Sequence, residues 1–267
     1  MLLPAENTLG IRREGHAPDL GDLVGAAGMS LSDGQLVRLK RYRDLLFDHN
    51  QTTNLTAIRE PAGIDRRLIL ESLRLVAPLR ALPRINESPS RSLIDIGTGG
   101  GLPGMVLAIA CPEFNVSLLE ATARKVVFLD LAIGELGLER VVAINARAED
   151  LGCQPRFRSR FDVVTARAVS SLPALLELGL PLLRVGGSLM LPKGADIGEE
   201  LEAAERAATI LGGEVVDSGY LPDVGSTVAT RLVIVRKIAA TPLKYPRRSG
   251  IPSKSPLGIR QLGGTSS

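Results

Sequence analysis

The chain has 267 residues, 45% of them hydrophobic and 23% charged, and a formal net charge of +3. That is enough apolar material for the core of one large domain, or one domain with an appended piece, and no apolar run is long enough to cross a membrane. Cys111 and Cys153 are the only cysteines and form no CxxC pair, which excludes zinc and dithiol motifs, so no metal is expected.

The first residues lack the apolar segment of a secretory signal, so a cytoplasmic protein is expected. Residues 1–29 are rich in Gly, Pro and charge and read as a flexible extension. Ser32 then opens a Ser-x-x-Gln capping-box pattern, and Leu36, Leu39, Tyr42 and Leu46 follow at helical spacing. A polar run from His49 to Thr56 reads as a break, and a second helix is expected over Ile64–Leu79. Together these form an N-terminal helical segment, residues 30–85, closed by a linker containing Pro83, Asn86, Ser88 and Pro89.

Beyond the linker the pattern alternates. Strands are expected at Ser92–Ile96, Asn115–Leu119, Val141–Asn145, Phe161–Ala166, Ser188–Leu191, Glu214–Ser218 and Thr230–Val235. Helices are expected at Pro103–Ala110, Arg124–Leu136, near Glu149, and at Ser171–Leu183 and Ile197–Leu211. Alternation of this kind predicts an α/β fold with a mostly parallel sheet covered on both faces. Only a loop fits between the sixth and seventh strands, so the last strand is expected to be antiparallel and at the edge. The α/β domain then spans 90–238 and is followed by a basic tail, 239–267. From Arg236 onward there are seven Lys/Arg and no Asp or Glu. Such a segment suits a polyanion, or is a solvated tail without a partner.

The chemistry is expected at the carboxyl ends of the strands. The first strand runs into five glycines within eight residues, Gly97, Gly99, Gly100, Gly101 and Gly104. Gly99, Gly101 and Gly104 fit the dinucleotide pattern G-x-G-x-x-G, which alone is weak. Asp95, just ahead of them, disfavours a pyrophosphate and suits a ligand carrying an ammonium group, such as S-adenosylmethionine; alternatively it braces the turn. Glu120 ends the second strand, where an acid can accept both ribose hydroxyls of an adenosine or stand exposed at a helix entry. Ala148 and Glu149 follow the third strand, at the height of an adenine edge, although an acid there can also start a helical turn. Arg167 ends the fourth strand next to the expected reacting methyl, suited to orient a carboxylate or base, or to a structural ion pair. Neither an Asn-Pro-Pro-aromatic motif nor a cysteine or histidine stands there. An acceptor nitrogen with a free lone pair, such as guanine N7, needs no general base, and catalysis reduces to positioning.

These residues resemble the RsmG (GidB) family. The matching segments are Asn54-Leu55-Thr56-x-Ile58-Arg59, Asp95 through Gly104 with its Leu102-Pro103-Gly104, Leu119-Glu120 with Arg124-Lys125, and Arg147-Ala148-Glu149. Thr165-Ala166-Arg167-Ala168, Leu191-Pro192-Lys193-Gly194 and Lys244-Tyr245-Pro246-Arg247-Arg248 complete the set, and roughly residues 32–257 are covered. The resemblance implies a Rossmann-like class I S-adenosylmethionine-dependent methyltransferase with a mostly parallel seven-stranded sheet, its last strand antiparallel, plus N-terminal helices. It implies methylation of guanine N7 in 16S ribosomal RNA of the small subunit or its assembling particle, by a protein expected to be monomeric. The cofactor set is then Asp95, Gly97, Gly99, Gly101, Leu102, Glu120, Ala148, Glu149 and Arg167, with no assigned catalytic base. The RNA set is Asn54, Arg59, Lys193, Arg231, Lys244, Arg247 and Arg248. One departure stands out: where the family usually has His-x-x-Asp-Ser, this chain reads Leu68-Ile69-Leu70-Glu71-Ser72.

Three other functions compete. A methyltransferase for a small molecule or protein keeps the same pocket and treats the tail as inert. An NAD-dependent oxidoreductase rests on the glycines and Glu120 but has no strand-end His, Tyr or Lys set for hydride chemistry. A non-catalytic RNA-binding protein leaves the pairing of glycine loop and Glu120 unexplained.

Overall fold

The computed structural model describes residues 18–85, 90–224 and 229–259. Seven strands form one sheet: β1 (Arg91–Ile96), β2 (Phe114–Glu120), β3 (Val141–Asn145), β4 (Phe161–Ala166), β5 (Leu183–Gly194), β6 (Gly213–Asp217) and β7 (Thr230–Lys237). Their spatial order is β3-β2-β1-β4-β5-β7-β6. The first five are parallel, and β7 is antiparallel to both neighbours. This is the expected mostly parallel sheet with an antiparallel last strand. The edge position is corrected: β7 lies between β5 and β6. It pairs along β5 from Ser188↔Arg236 to Gly194↔Thr230, so its apolar residues are covered on both sides. β5 is also longer than its apolar core suggested, because Leu183 already pairs with Phe161 before a bulge.

Alternation along the strands sends side chains to two cores. Leu93 of β1 joins Tyr42, Leu46, Ile64, Met105 and Phe128 on one face. Ile94 joins Val164, Leu175, Leu189 and Val233 on the other. The second face is covered by α8 (Ala148–Cys153), α9 (Leu172–Gly179) and α10 (Gly198–Leu211). The first is covered by α6 (Gly104–Ala110), α7 (Ala123–Leu136) and the N-terminal helices.

The N-terminal part departs from expectation in three places. Within the expected extension, α1 (Leu20–Ala26) is a helix with an Asp19 capping box, and Leu20 and Val24 are buried in the core; residues 1–17 lie outside the described residues. Helix α2 (Asp33–Thr53) starts at the predicted Ser32–Gln35 capping box but continues through the polar run. Asn50 explains this: its side chain is buried, donates to Ile58 O at 2.9 Å and accepts from Thr56 N at 3.0 Å. That pair pins the next loop to the helix, and Asn54 ends the helix in a left-handed conformation, φ 52°.

The second helix is broken into α3 (Pro61–Ile64), a π-helical turn (Asp65–Leu70), α4 (Glu71–Leu73) and α5 (Val76–Ala81). A π-helical turn inserts an extra residue, which rotates the following side chains relative to a regular helix.

At the other end, the basic segment is folded onto the α8–α9 side. Tyr245 is buried, and α11 (Ile251–Lys254) is a short helix; residues 260–267 lie outside the described residues.

Candidate functional site

The strand order reverses between β1 and β4, and a cleft of about 600 Å³ opens there at the carboxyl ends of the strands. One wall is the glycine loop after β1, with Gly97, Gly99 and Leu102. A second is Arg167 and Ala168 after β4 and Lys193 on β5. The third comes from the N-terminal helices and their loop: Leu55, Thr56, Ile58, Arg67, Leu68 and Glu71.

The glycines do two different jobs. Gly97 has φ +64°, and a Cβ on it would come within 2.8 Å of Val169 Cγ2. Gly99 has φ +60°, and a Cβ there would meet nothing nearer than Leu55 O at 3.9 Å. These two edge the cleft with bare backbone. Gly101 instead packs inward, where a Cβ would crowd Tyr42 Oη and Met105 Cβ at 3.1 Å, and it does not line the cleft. Tyr42 Oη donates to Gly100 O at 2.6 Å, so α2 holds the loop from below.

Asp95 braces the turn, one of the two roles its position suggested. It is fully buried and does not line the cleft. Its Oδ2 accepts from Thr98 Oγ1 at 2.5 Å and from Gly104 N at 2.8 Å, tying the loop to the start of α6. Burial pushes its carboxyl up to about 7, against the pull of these hydrogen bonds and of Arg167.

Glu120 stands at the end of β2, nearly buried, and its carboxylate braces two turns. Oε2 accepts from Gly99 N at 3.1 Å and Oε1 from Thr122 N at 2.8 Å. Each oxygen keeps a second lone pair for a hydroxyl donor. Ala148 is buried, and Glu149 accepts from Gly250 N at 2.8 Å, so the C-terminal segment is fastened beside the third strand end. Neither residue lines the cleft. Arg167 does. Its Nη1 lies 3.4 Å from both Leu68 O and Ser72 Oγ, and burial lowers its pKa while nearby Asp95 opposes the shift.

The expected RNA residues are scattered. Lys193 lines the cleft, with its Nζ 3.0 Å from Glu200 Oε1 and 3.2 Å from Ser170 O. Asn54 and Arg59 are exposed on the adjoining loop, where Arg59 donates to Asn50 O and Asn54 Oδ1. Arg231 donates to Ser218 O and stacks over Tyr220, outside the cleft. Lys244 and Arg248 are exposed.

Arg247 is already engaged within the protein. It forms a forked pair with Glu177, with Nη2–Oε2 at 2.6 Å and Nε–Oε1 at 2.9 Å, and the Glu177 side chain is fully buried. A carboxylate inside the apolar α9 must be matched there, and Arg247 does so.

Sequence alone did not single out Arg67, and it marked Glu71 only as part of the departure from the family pattern. Glu71 pairs with the buried Arg74 at 2.7 Å, and Arg74 Nη2 donates to Leu221 O at 3.0 Å, joining the third wall to the segment after β6. The Arg66-Arg67 pair was a visible signal, but the π-helical turn that orients it was not. Leu68, the departure from the family pattern, also lines the cleft. Among the described residues, no group of three or more His, Cys, Asp or Glu is placed to hold a metal, and no helix is long and apolar enough to cross a membrane.

Comparisons with known proteins place the chain among relatives. The chain is 43% identical to the ribosomal RNA small subunit methyltransferase G of Chloroflexus aggregans over 232 residues, covering 87% of this chain and 94% of that protein. It is 37% identical to the protein of the same name from Alkaliphilus oremlandii, covering 90% and 99%. A solved Corynebacterium glutamicum protein shares the fold at 20% identity, with a TM-score of 0.51 over 81% of this chain and 95% of that one. The family described as rRNA small subunit methyltransferase G (GidB) matches residues 35–221, which run from α2 through every wall of the cleft up to β6. The chain belongs to that family.

Proposed function

We propose that the protein transfers a methyl group from S-adenosylmethionine to N7 of one guanine in 16S ribosomal RNA. The observation that carries this reading is one cleft in which bare glycine backbone faces an N-terminal wall of apolar residues carrying one cation, Arg67, with Arg167 and Lys193 on the remaining side. A nucleoside cofactor fits the first side, because Gly97 and Gly99 place no Cβ between backbone and ligand. Gly97, Gly99, Leu102 and Arg167 would hold it, with Glu120 at the ribose. When bound, S-adenosylmethionine would supply an electrophilic methyl and a sulfur leaving group that keeps the bonding electron pair, matched to the free lone pair of N7.

Guanine N7 carries no proton, so no side chain has to remove one. The chain's contribution is orientation. Arg167, half-buried between the glycine loop and the helix at Leu68 and Ser72, fixes a polar group of the cofactor or base. Leu55, Ile58 and Leu68 give the cleft an apolar wall that excludes water around the reacting atoms.

The test is methyl transfer to small subunits, naked 16S RNA and guanosine mononucleotides, with the modified position mapped in the RNA product. Transfer to a single guanine N7 in RNA or subunits is expected. Equal turnover on mononucleotides overturns RNA specificity and favours the small-molecule reading.

A further inference from the structure

Three cations line the cleft: Arg67, Arg167 and Lys193. Two are already engaged by the protein. Lys193 is paired with Glu200, and Arg167 faces Leu68 O and Ser72 Oγ. Among the described residues, Arg67 has neither a hydrogen bond nor an ion pair, and it is exposed at the mouth. It sits on the π-helical turn Asp65–Leu70, whose opposite side is buried through Asp65, Ile69 and Leu70. Asp65, on that buried side, is matched by Arg43 at 3.1 Å, which leaves Arg67 without an acid from its own turn.

An uncommitted guanidinium at the rim of a cleft is a fork for two anionic oxygens. We propose that Arg67 is the phosphate clamp for the methylated nucleotide, gripping the phosphodiester next to the target guanine. The proposal rests on the cleft being the methyl-transfer site for RNA.

The geometry favours a phosphate over the cofactor's carboxylate. Arg167 is the half-buried cation beside the glycine loop, while Arg67 stands on the opposite wall at the solvent side. A nucleotide taken out of its stack needs its backbone held while the base enters. Leu55, Ile58 and Leu68 supply apolar contact for the base but no charge, so the phosphate falls to Arg67.

The test is a linkage scan. Small subunits are reconstituted with 16S RNA carrying a neutral methylphosphonate at single positions around the target guanine. For the unaltered protein, one linkage next to the target should cost about 10- to 100-fold in kcat/KM, the usual range for losing a charged hydrogen bond. Arg67→Ala should show that loss at every linkage, with no further penalty at the sensitive one. It should also lower the salt slope of 16S RNA binding by about 1, while Arg67→Lys recovers the slope but not the full rate. S-adenosylmethionine affinity measured by calorimetry should stay unchanged, and melting should confirm the fold. Arg66→Ala, next door but not lining the cleft, should leave the linkage profile intact.

A full linkage penalty persisting in Arg67→Ala overturns the proposal. So does a parallel loss of cofactor affinity with RNA binding intact, which would assign Arg67 to the carboxylate instead. If the unaltered protein transfers no methyl to RNA, the functional reading fails, and the salt slope still reports on Arg67.

Discussion

Arg67, on the π-helical turn, stands uncommitted at the cleft, whereas Arg247, in the basic segment after β7, is locked to the buried Glu177. From the sequence only the C-terminal region read as a basic segment. The C-terminal one looked more like an RNA grip, since it has no acid of its own. Its acids lie elsewhere in the chain. Glu177 takes Arg247, and Glu149 takes the amide of Gly250. Lys237 is buried against Leu180 O and Thr241, and burial lowers its pKa to about 7. Arg158 reaches across to Tyr245 O and Thr241 O at 2.8 Å. A count of charges along the chain therefore does not tell which are available to a partner. Availability depends on what the fold brings opposite them.

The largest expected effect would sharpen that contrast. Arg247→Ala leaves a fully buried carboxylate unpaired, which should destabilise the fold by about 3–5 kcal/mol. Thermal or urea unfolding reads this directly. RNA affinity of the protein that remains folded should change little, and a selective loss of RNA binding at unchanged stability would break the contrast.

Gly99→Val acts on the facing wall. It strains a residue at φ +60° and puts a branched side chain into open cleft, so S-adenosylmethionine affinity should fall by roughly 100-fold with the fold retained. Calorimetric titration checks this, and undiminished affinity would remove the glycine loop from the cofactor site.

Lys193→Ala removes a cation that lines the cleft but is shared with Glu200, so its effect on RNA affinity should be smaller, below about tenfold, with a shallower salt slope.

The last effect, confined to a pH window, concerns Asp95. Burial raises its carboxyl in the folded state to about 7, well above the ordinary carboxylate range. A raised acid stabilises the fold fully at low pH, and that contribution is lost as pH climbs from about 4 through 7. Asp95→Asn keeps an acceptor for Thr98 and Gly104 but cannot ionise, so stability should vary less over that window. An unchanged pH–stability profile in the variant would mean that Asp95 is not the group responsible.

Much of the fold was legible because the sheet is buried on both faces. The runs Leu93-Ile94 and Val163-Val164 had to be strands in the core, and the glycine cluster had to be the turn at the switch point. What stayed hidden depended on partners far away in sequence. The His49–Thr53 stretch is polar yet helical because Asn50 has a docking loop to hold. Glu177 was a readable clue, a lone acid in Leu172–Gly179, but its partner lies 70 residues on. Five glycines in a row of eight gave no hint that Gly97 and Gly99 face the cleft while Gly101 packs against Met105 and Tyr42. Arg67 was missed because helical spacing in the sequence gives no sign of the π-helical turn that carries it.

The bond from Tyr42 Oη to Gly100 O has a practical consequence for how the chain can be divided. The sheet and its loop look separable from residues 30–85 in sequence, with a linker between them. A cut at that linker would strip Gly100 of its buried donor and unroof Leu93, Met105 and Phe128, which share a core with Tyr42, Leu46 and Ile64. The sheet half is thus not a portable module: its glycine turn is finished by a hydroxyl that the chain delivers some sixty residues earlier.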